Sequence, residues 1–281
     1  MKKPMIKTFI PLSAVAAVFG LAPGVHADTT EFQAAFPTSW HGTGTTVTDL
    51  SGWGTTGFQS GTATYTTAAV PSWATAGTGS MALGGSGGIK VTPTGLLNNK
   101  YLDNASGGNS GFAFNIDFLW DGTDSTSYGH TEKLIDYAGT ESLQLITTAG
   151  SANLQMVFGD DTGIETIATS TTISPNTWYS VNLRFDTTGN LRDSFGDITG
   201  TASMTVNGSL VGSASATKGV YGDNLNRPIG IGEFGYGHTT SIIGLHGDIY
   251  DASISIIPEP SALALGALGG LAMLGSRRRK S

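Results

Sequence analysis

A chain of 281 residues with no cysteine is long enough to bury a core, and it excludes disulfide stapling, thiolate metal sites and a cysteine nucleophile. The formal charge is −7, but three of the 14 basic residues precede residue 28 and four follow Ile257, so the stretch between carries seven against 20 of the 21 acidic residues, a balance of −13. So acidic a segment is a poor partner for nucleic acid or anionic lipid and a plausible host for divalent cations.

The first 27 residues read as a secretory signal. Lys2, Lys3 and Lys7 are followed by an apolar run from Phe9 to Phe19, and small residues end at Val25-His26-Ala27. Cleavage is expected after Ala27, because a signal peptidase reads small side chains at these positions. The apolar helix is too short to span a bilayer, and Pro11, Gly20, Pro23 and Gly24 argue against a buried first helix. Residues 28–37 read as a leader to the domain.

From residue 38 to 257 the chain reads as one large all-β domain. Glycine, serine and threonine abound, and no long 3.6-residue apolar period appears. Phe112, Phe114, Ile116, Phe118 and Trp120 fall on one face of a strand, with Ala113, Asn115 and Asp117 on the other. Leu143 to Leu145 and Leu154 to Phe158 repeat the theme, as do Tyr179, Val181, Leu183 and Phe185 against Ser180, Asn182 and Arg184. Asn207-Gly208, between Met204-Thr205-Val206 and Leu210-Val211, is the strongest hairpin signal, because both residues tolerate positive φ. Pro228 to Ile231 and Asp248 to Ile254 supply late strands. Short antiparallel strands without crossover helices predict two packed sheets.

Two glycine-rich strings match catalytic patterns without their context. Gly84 to Gly88 satisfies G-x-S-x-G, but a nucleophile elbow needs a strand turning sharply into a helix. Gly230 to Gly235 satisfies G-x-G-x-x-G, but no helix follows to hold a pyrophosphate.

The ordered segments resemble the concanavalin A-like, laminin G-like (LamG) superfamily. The resemblance rests on Asp49 to Gly54, Ser80 to Leu83, Phe112 to Trp120, Trp178 to Asp186, the hairpin Ala202 to Ser215, Ile229 to Gly232 and Leu245 to Tyr250. It implies a jelly-roll sandwich of two antiparallel sheets, often lectin-like, often with a rim calcium. Relatives that cleave glycans with retention carry Glu-x-Asp-x-x-Glu on one strand, a string this chain lacks. Glu132, Glu141, Glu165 and Glu233 are isolated and read as solvated strand or loop residues, so the expectation is no enzyme. His41, His130, His238 and His246 have no metal-ligand spacing and read as loop or edge residues.

Two sets of residues are left as binding candidates. Trp40, Trp53 and Trp73 are the candidates for an exposed sugar platform, whereas Trp120 and Trp178 sit at strand positions that read as core. Asp186, Asn190, Asp193 and Asp197, in a loop with two glycines, are the candidate calcium ligands, although the loop lacks EF-hand spacing and an Asx-turn loop explains it equally well. Asp121 with Asp124 and Asp160 with Asp161 are weaker rim clusters of the same kind.

The C-terminal end is more specific. Pro258-Glu259-Pro260 precedes uncharged Ser261 to Ser276, and Arg277-Arg278-Arg279-Lys280 follows. A helix over residues 261–276 is roughly 24 Å long and spans with its flanking side chains, the cations staying cytoplasmic. The tripeptide, short helix and basic end resemble the PEP-CTERM sorting signal. That resemblance implies recognition by an exosortase, a tethered inner-membrane intermediate in a bacterium with two membranes, and delivery to the cell surface or extracellular matrix.

Together these readings predict an exported, exosortase-sorted protein whose sandwich binds glycan, such as exopolysaccharide, or a surface partner without catalysis. The alternatives are a glycan-cleaving hydrolase of the same fold and a purely structural matrix protein.

Overall fold

The computed structural model describes residues 29–37, 46–47, 56–61, 63–76, 78–85, 87–92, 109–124, 130–137, 141–160, 163–186, 198–220, 229–233 and 244–258. Among them are sixteen strands and no helix. The first eight are β1 (Thr29–Pro37), β2 (Thr46–Val47), β3 (Thr56–Gly61), β4 (Thr64–Thr66), β5 (Thr78–Gly84), β6 (Gly87–Thr92), β7 (Asn109–Trp120) and β8 (Thr131–Tyr137). The rest are β9 (Glu141–Thr148), β10 (Ser151–Asp160), β11 (Gly163–Ile173), β12 (Trp178–Asp186), β13 (Ile198–Val206), β14 (Ser209–Val220), β15 (Ile229–Ile231) and β16 (His246–Pro258).

The strands form two antiparallel sheets. The first runs β14-β13-β12-β7-β16-β1-β5-β4 and the second β11-β10-β9-β8-β15-β6-β3-β2. β16 pairs with β7 on one side, and on the other first with β5, from His246 to Ile249, and then with β1, from Asp251 to Ile256. Residues 29–37 are therefore a strand of the first sheet, which corrects their reading as a leader. The domain also runs one residue further than expected, since Pro258 pairs with Asn109 at the end of β16.

Alternation decides which face each strand buries. On β7, Phe112, Phe114, Ile116, Phe118 and Trp120 are at most 1% exposed and face Leu143, Leu145, Leu154, Met156 and Ile231 of the opposite sheet in one continuous core. Phe112 stacks on Phe185 of β12, with centroids 5.5 Å apart. Each such side chain contributes about 1.5–3 kcal/mol on burial, which is how a chain without disulfides holds two sheets together. The Asn207-Gly208 turn closes β13 on β14, with φ of 49° and 78°, the left-handed conformations its sequence favours.

The chain crosses between the sheets at one end of the sandwich. β5 passes to β6 through Gly84-Gly85, and β15 returns to β16 beside it, where Gly85 N donates to Leu245 O at 3.1 Å and Gly244 N to Gly85 O at 3.0 Å. The G-x-S-x-G string thus lies in a strand-to-strand crossing. At Gly85 the φ of +75° and the His246 ring over the Cα both require glycine.

Candidate functional site

The site is built on the face of the first sheet turned away from the core. Parity puts three rows of side chains there across β12, β7 and β16: Trp178, Leu119 and Asp248; then Ser180, Asp117 and Asp251; then Asn182, Asn115 and Ser253. In the third row Asn182 Nδ2 donates to Asn115 Oδ1 at 2.6 Å, and Asn115 Nδ2 donates to Ser253 Oγ at 3.1 Å. That chain uses the inner amide hydrogens between the strands and fixes the planes of both amides.

A bulge in β16 organises the second row. Ile249 pairs with Phe118 and Asp251 with Asp117, which leaves Tyr250 as the extra residue. The Tyr250 hydroxyl accepts from Thr75 N at 2.9 Å and lies 2.9 Å from Thr78 Oγ1, and the Trp178 ring meets the Tyr250 ring edge-on at 6.4 Å. These contacts hold the segment between β4 and β5 over the sheet. A further tie is Ser80 Oγ, which is within 2.6 Å of Ala69 O and 3.1 Å of Asp248 Oδ1. Burial pushes the Asp248 carboxyl above its ordinary range, partly offset by its bond from Ser80.

This segment carries Trp73. Its indole is 51% exposed, and Nε1 donates to Asp117 Oδ2 at 3.2 Å. An exposed ring held by its one donor to a carboxylate, one row from the Asn182, Asn115 and Ser253 chain on the same sheet face, is an apolar plate with hydrogen-bonding groups nearby. Such an arrangement suits the alternating apolar faces and hydroxyl rims of a sugar.

The remaining sequence candidates are distributed otherwise. Trp40 and Trp53 lie outside the described residues. Trp120 is fully buried, as expected, and donates to Thr123 O at 3.0 Å. Trp178 is not core: it stands half-buried on the outer face, because the strand's parity puts Tyr179, rather than Trp178, on the inner side. Asp186 closes β12 and takes Arg184 Nε at 3.1 and 3.0 Å, while Asn190, Asp193 and Asp197 lie outside the described residues. Among the described residues no cluster of three acidic or histidine side chains is placed to hold a metal. Pro258 ends a ladder strand, and Ala27, Glu259, Pro260, Arg277, Arg278 and Arg279 lie outside the described residues.

Two glutamates read as solvated are buried instead. Glu233 is 1% exposed and Glu132 fully enclosed. Glu132 points inward from β8 and binds His246 of the other sheet twice, accepting from the backbone N at 3.0 Å and meeting Nδ1 at 3.0 Å. Burial drives the Glu132 carboxyl above its ordinary range, and the bond to Glu132 raises the His246 imidazole. Both carboxylate oxygens are committed to His246, so the pair acts as a polar clasp between the sheets at their crossing. His130 at the rim meets Asp124 at 2.7 Å, and His41 and His238 lie outside the described residues.

On the far side of the second sheet, Lys133 is buried with its ammonium 2.8 Å from Ser142 Oγ and Gln144 Oε1 and 3.2 Å from Asp136. Burial lowers the Lys133 pKa. Nothing in the sequence singled out Asn115, Asp117, Asn182, Ser253 or Tyr250 as a group, because only the register of three strands from distant parts of the chain brings them together.

No protein-family model matches the chain, and no curated protein sequence is similar to it. Among solved structures it is similar to the binding domain of Paraclostridial Mosquitocidal Protein 1, at 17% identity and a TM-score of 0.54, over 82% of this chain and 49% of that one. It is also similar to the receptor binding domain of botulinum neurotoxin mosaic serotype C/D, at 14% identity and 0.47, over 85% and 50%. The chain therefore spans about half the length of the solved structures it matches. At these identities the likeness is one of fold, and the first comparison supports the two-sheet architecture alone.

Proposed function

We propose that this protein is an exported, non-catalytic glycan-binding β-sandwich of concanavalin A-like type, displayed at the cell surface or in the extracellular matrix of a bacterium with two membranes. The observation that carries the binding half is Trp73, half-exposed and hydrogen-bonded to Asp117 on the outer face of β7, the face that also carries Asn115, Asn182 and Ser253. A matrix protein with no ligand has no need of an exposed indole on a polar sheet face. The signal-like start and the Pro258 to Lys280 tail support the export half, with an exosortase as the processing partner.

A glycan array probed with the purified protein, with and without chelator, tests the binding half. Trp73→Ala should lose about tenfold or more in affinity for the glycan selected while its melting temperature stays within a few degrees. Undiminished binding by Trp73→Ala, or no glycan bound by the native protein, overturns the assignment.

A further inference from the structure

We infer that the two processing sites of this protein form one junction on the folded sandwich, so that removal of the signal is a precondition for removal of the tail; this rests on the export and sorting reading above. The observation is the pairing of the first strand with the last. Thr29 of β1 is paired with Ile256 of β16, and the two strands run antiparallel. Ala27, after which the signal is expected to be cut, is two residues before Thr29, and Pro258, which opens the sorting tripeptide, is two residues after Ile256. Both junctions therefore leave the same end of the first sheet on neighbouring strands, about 4.8 Å apart.

Two consequences follow from this register. β5 covers β16 only from His246 to Ile249, and from Asp251 to Ile256 that edge belongs to β1. A protease needs extended, unpaired backbone, so the Ala27–Asp28 bond is cut before β1 docks, while its partner, the last strand of the sandwich, is still to arrive. Hydrolysis there puts the hydroxyl of water on the Ala27 carbonyl and a proton on the Asp28 nitrogen. A precursor whose β1 docks uncut instead holds two membrane segments side by side, with Lys2, Lys3 and Lys7 and the Arg277 to Lys280 cluster all cytoplasmic. Each helix is at least about 10 Å across, some twice the strand spacing, so the signal helix fills the flank from which a membrane-embedded enzyme reaches the tail junction. On the other side Pro258 is paired with Asn109 of β7. Hydrolytic removal of the signal thus supplies the substrate of the second cleavage, which breaks one backbone amide near Pro260 and passes its acyl group to water or to an acceptor amine.

Intact mass of the full chain, recovered from membrane and surface fractions of the producing bacterium, tests this. Ala27→Leu puts a bulky side chain where a signal peptidase reads a small one. It should yield a membrane form that keeps both residues 1–27 and residues 261–281, with the tail-processed form lost. A Gly-Ser linker of about ten residues, inserted between Asp28 and Thr29 of that variant, gives the signal helix a reach of roughly 17 Å. It should restore tail removal while the signal stays attached, which a general failure of folding or traffic would not do. An Ala27→Leu form that keeps its signal but ends near Pro260 overturns the dependence, and so does a linker that fails to restore tail removal. Either result, with the native tail removed, leaves the sorting reading standing. Native protein recovered with residues 261–281 overturns the sorting reading and the dependence with it.

Discussion

His246 and Glu132 join the two sheets with a charge pair that the hydrophobic core alone does not need. Both groups hold their protons to higher pH in the folded chain than in the unfolded one, the histidine because of its bond to Glu132 and the glutamate because of burial. A folded state that binds more protons is stabilised by acid, so the clasp's contribution is present at low pH and lost as pH rises. The window opens near the ordinary carboxyl value of 4.5 and closes above the ordinary imidazole value of 6.5. Urea midpoints measured from pH 5 to pH 8 should therefore fall in the native protein and fall less in Glu132→Gln. His246→Ala, which strands the buried carboxylate, should cost on the order of 3 kcal/mol at neutral pH, and a midpoint unchanged by that substitution would contradict the clasp.

At the scale of single elements, the β13–β14 turn and the β16 bulge do different work. The turn is locally encoded: Asn207 and Gly208 take positive φ, and Asn207 also accepts from Ser180 N at 2.9 Å and donates its own N to Ser180 O at 2.8 Å. Asn207→Ala removes the side-chain bond and Gly208→Ala strains the backbone, so each should lower stability by about 1 kcal/mol, read as a shifted denaturation midpoint. The bulge, by contrast, has no sequence signal. Asp248 to Ile254 reads as one uninterrupted strand, and only the pairing of Asp251 with Asp117 reveals Tyr250 as the extra residue.

That contrast explains what was legible. Strands such as β7 and β12 announced themselves by two-residue periodicity, which is local, and so the all-β class and the buried face of Phe112 to Trp120 were readable. Trp178 was misassigned because a strand's first residue can fall on either face, and the alternation that settles it begins at Tyr179. Residues 28–37 carried no strong alternation, and β1 forms because β16 offers it a free edge from Asp251 to Ile256. Glu132 was read as solvated because its partner His246 lies 114 residues away. Of the outer-face site only Trp73 was legible, since Asn115, Asp117, Asn182 and Ser253 are brought together by register alone.

For the molecule as a whole, the end of β16 bears on the proposed sorting. Pro258 is paired with Asn109, so the last strand runs directly into Glu259 without a spacer. Processing at this junction by an exosortase predicts that intact mass of protein recovered from the cell surface ends near Pro260. Recovery of a form retaining residues 261–281 would identify the tail as a permanent anchor. Alanine in place of Pro258, Glu259 and Pro260 should leave the longer form in the inner membrane.

The central claim is that one sheet face binds glycan, and its location is what distinguishes it from non-specific adhesion. Amide and indole chemical shifts followed during titration with the best-binding glycan measure that location residue by residue. The account predicts saturable changes concentrated at the Trp73 indole and at Asn115, Asp117, Asn182, Asp251 and Ser253, with the second sheet unmoved. Changes confined to the second sheet or to the His246 end of the sandwich, or none at saturating glycan, would contradict it.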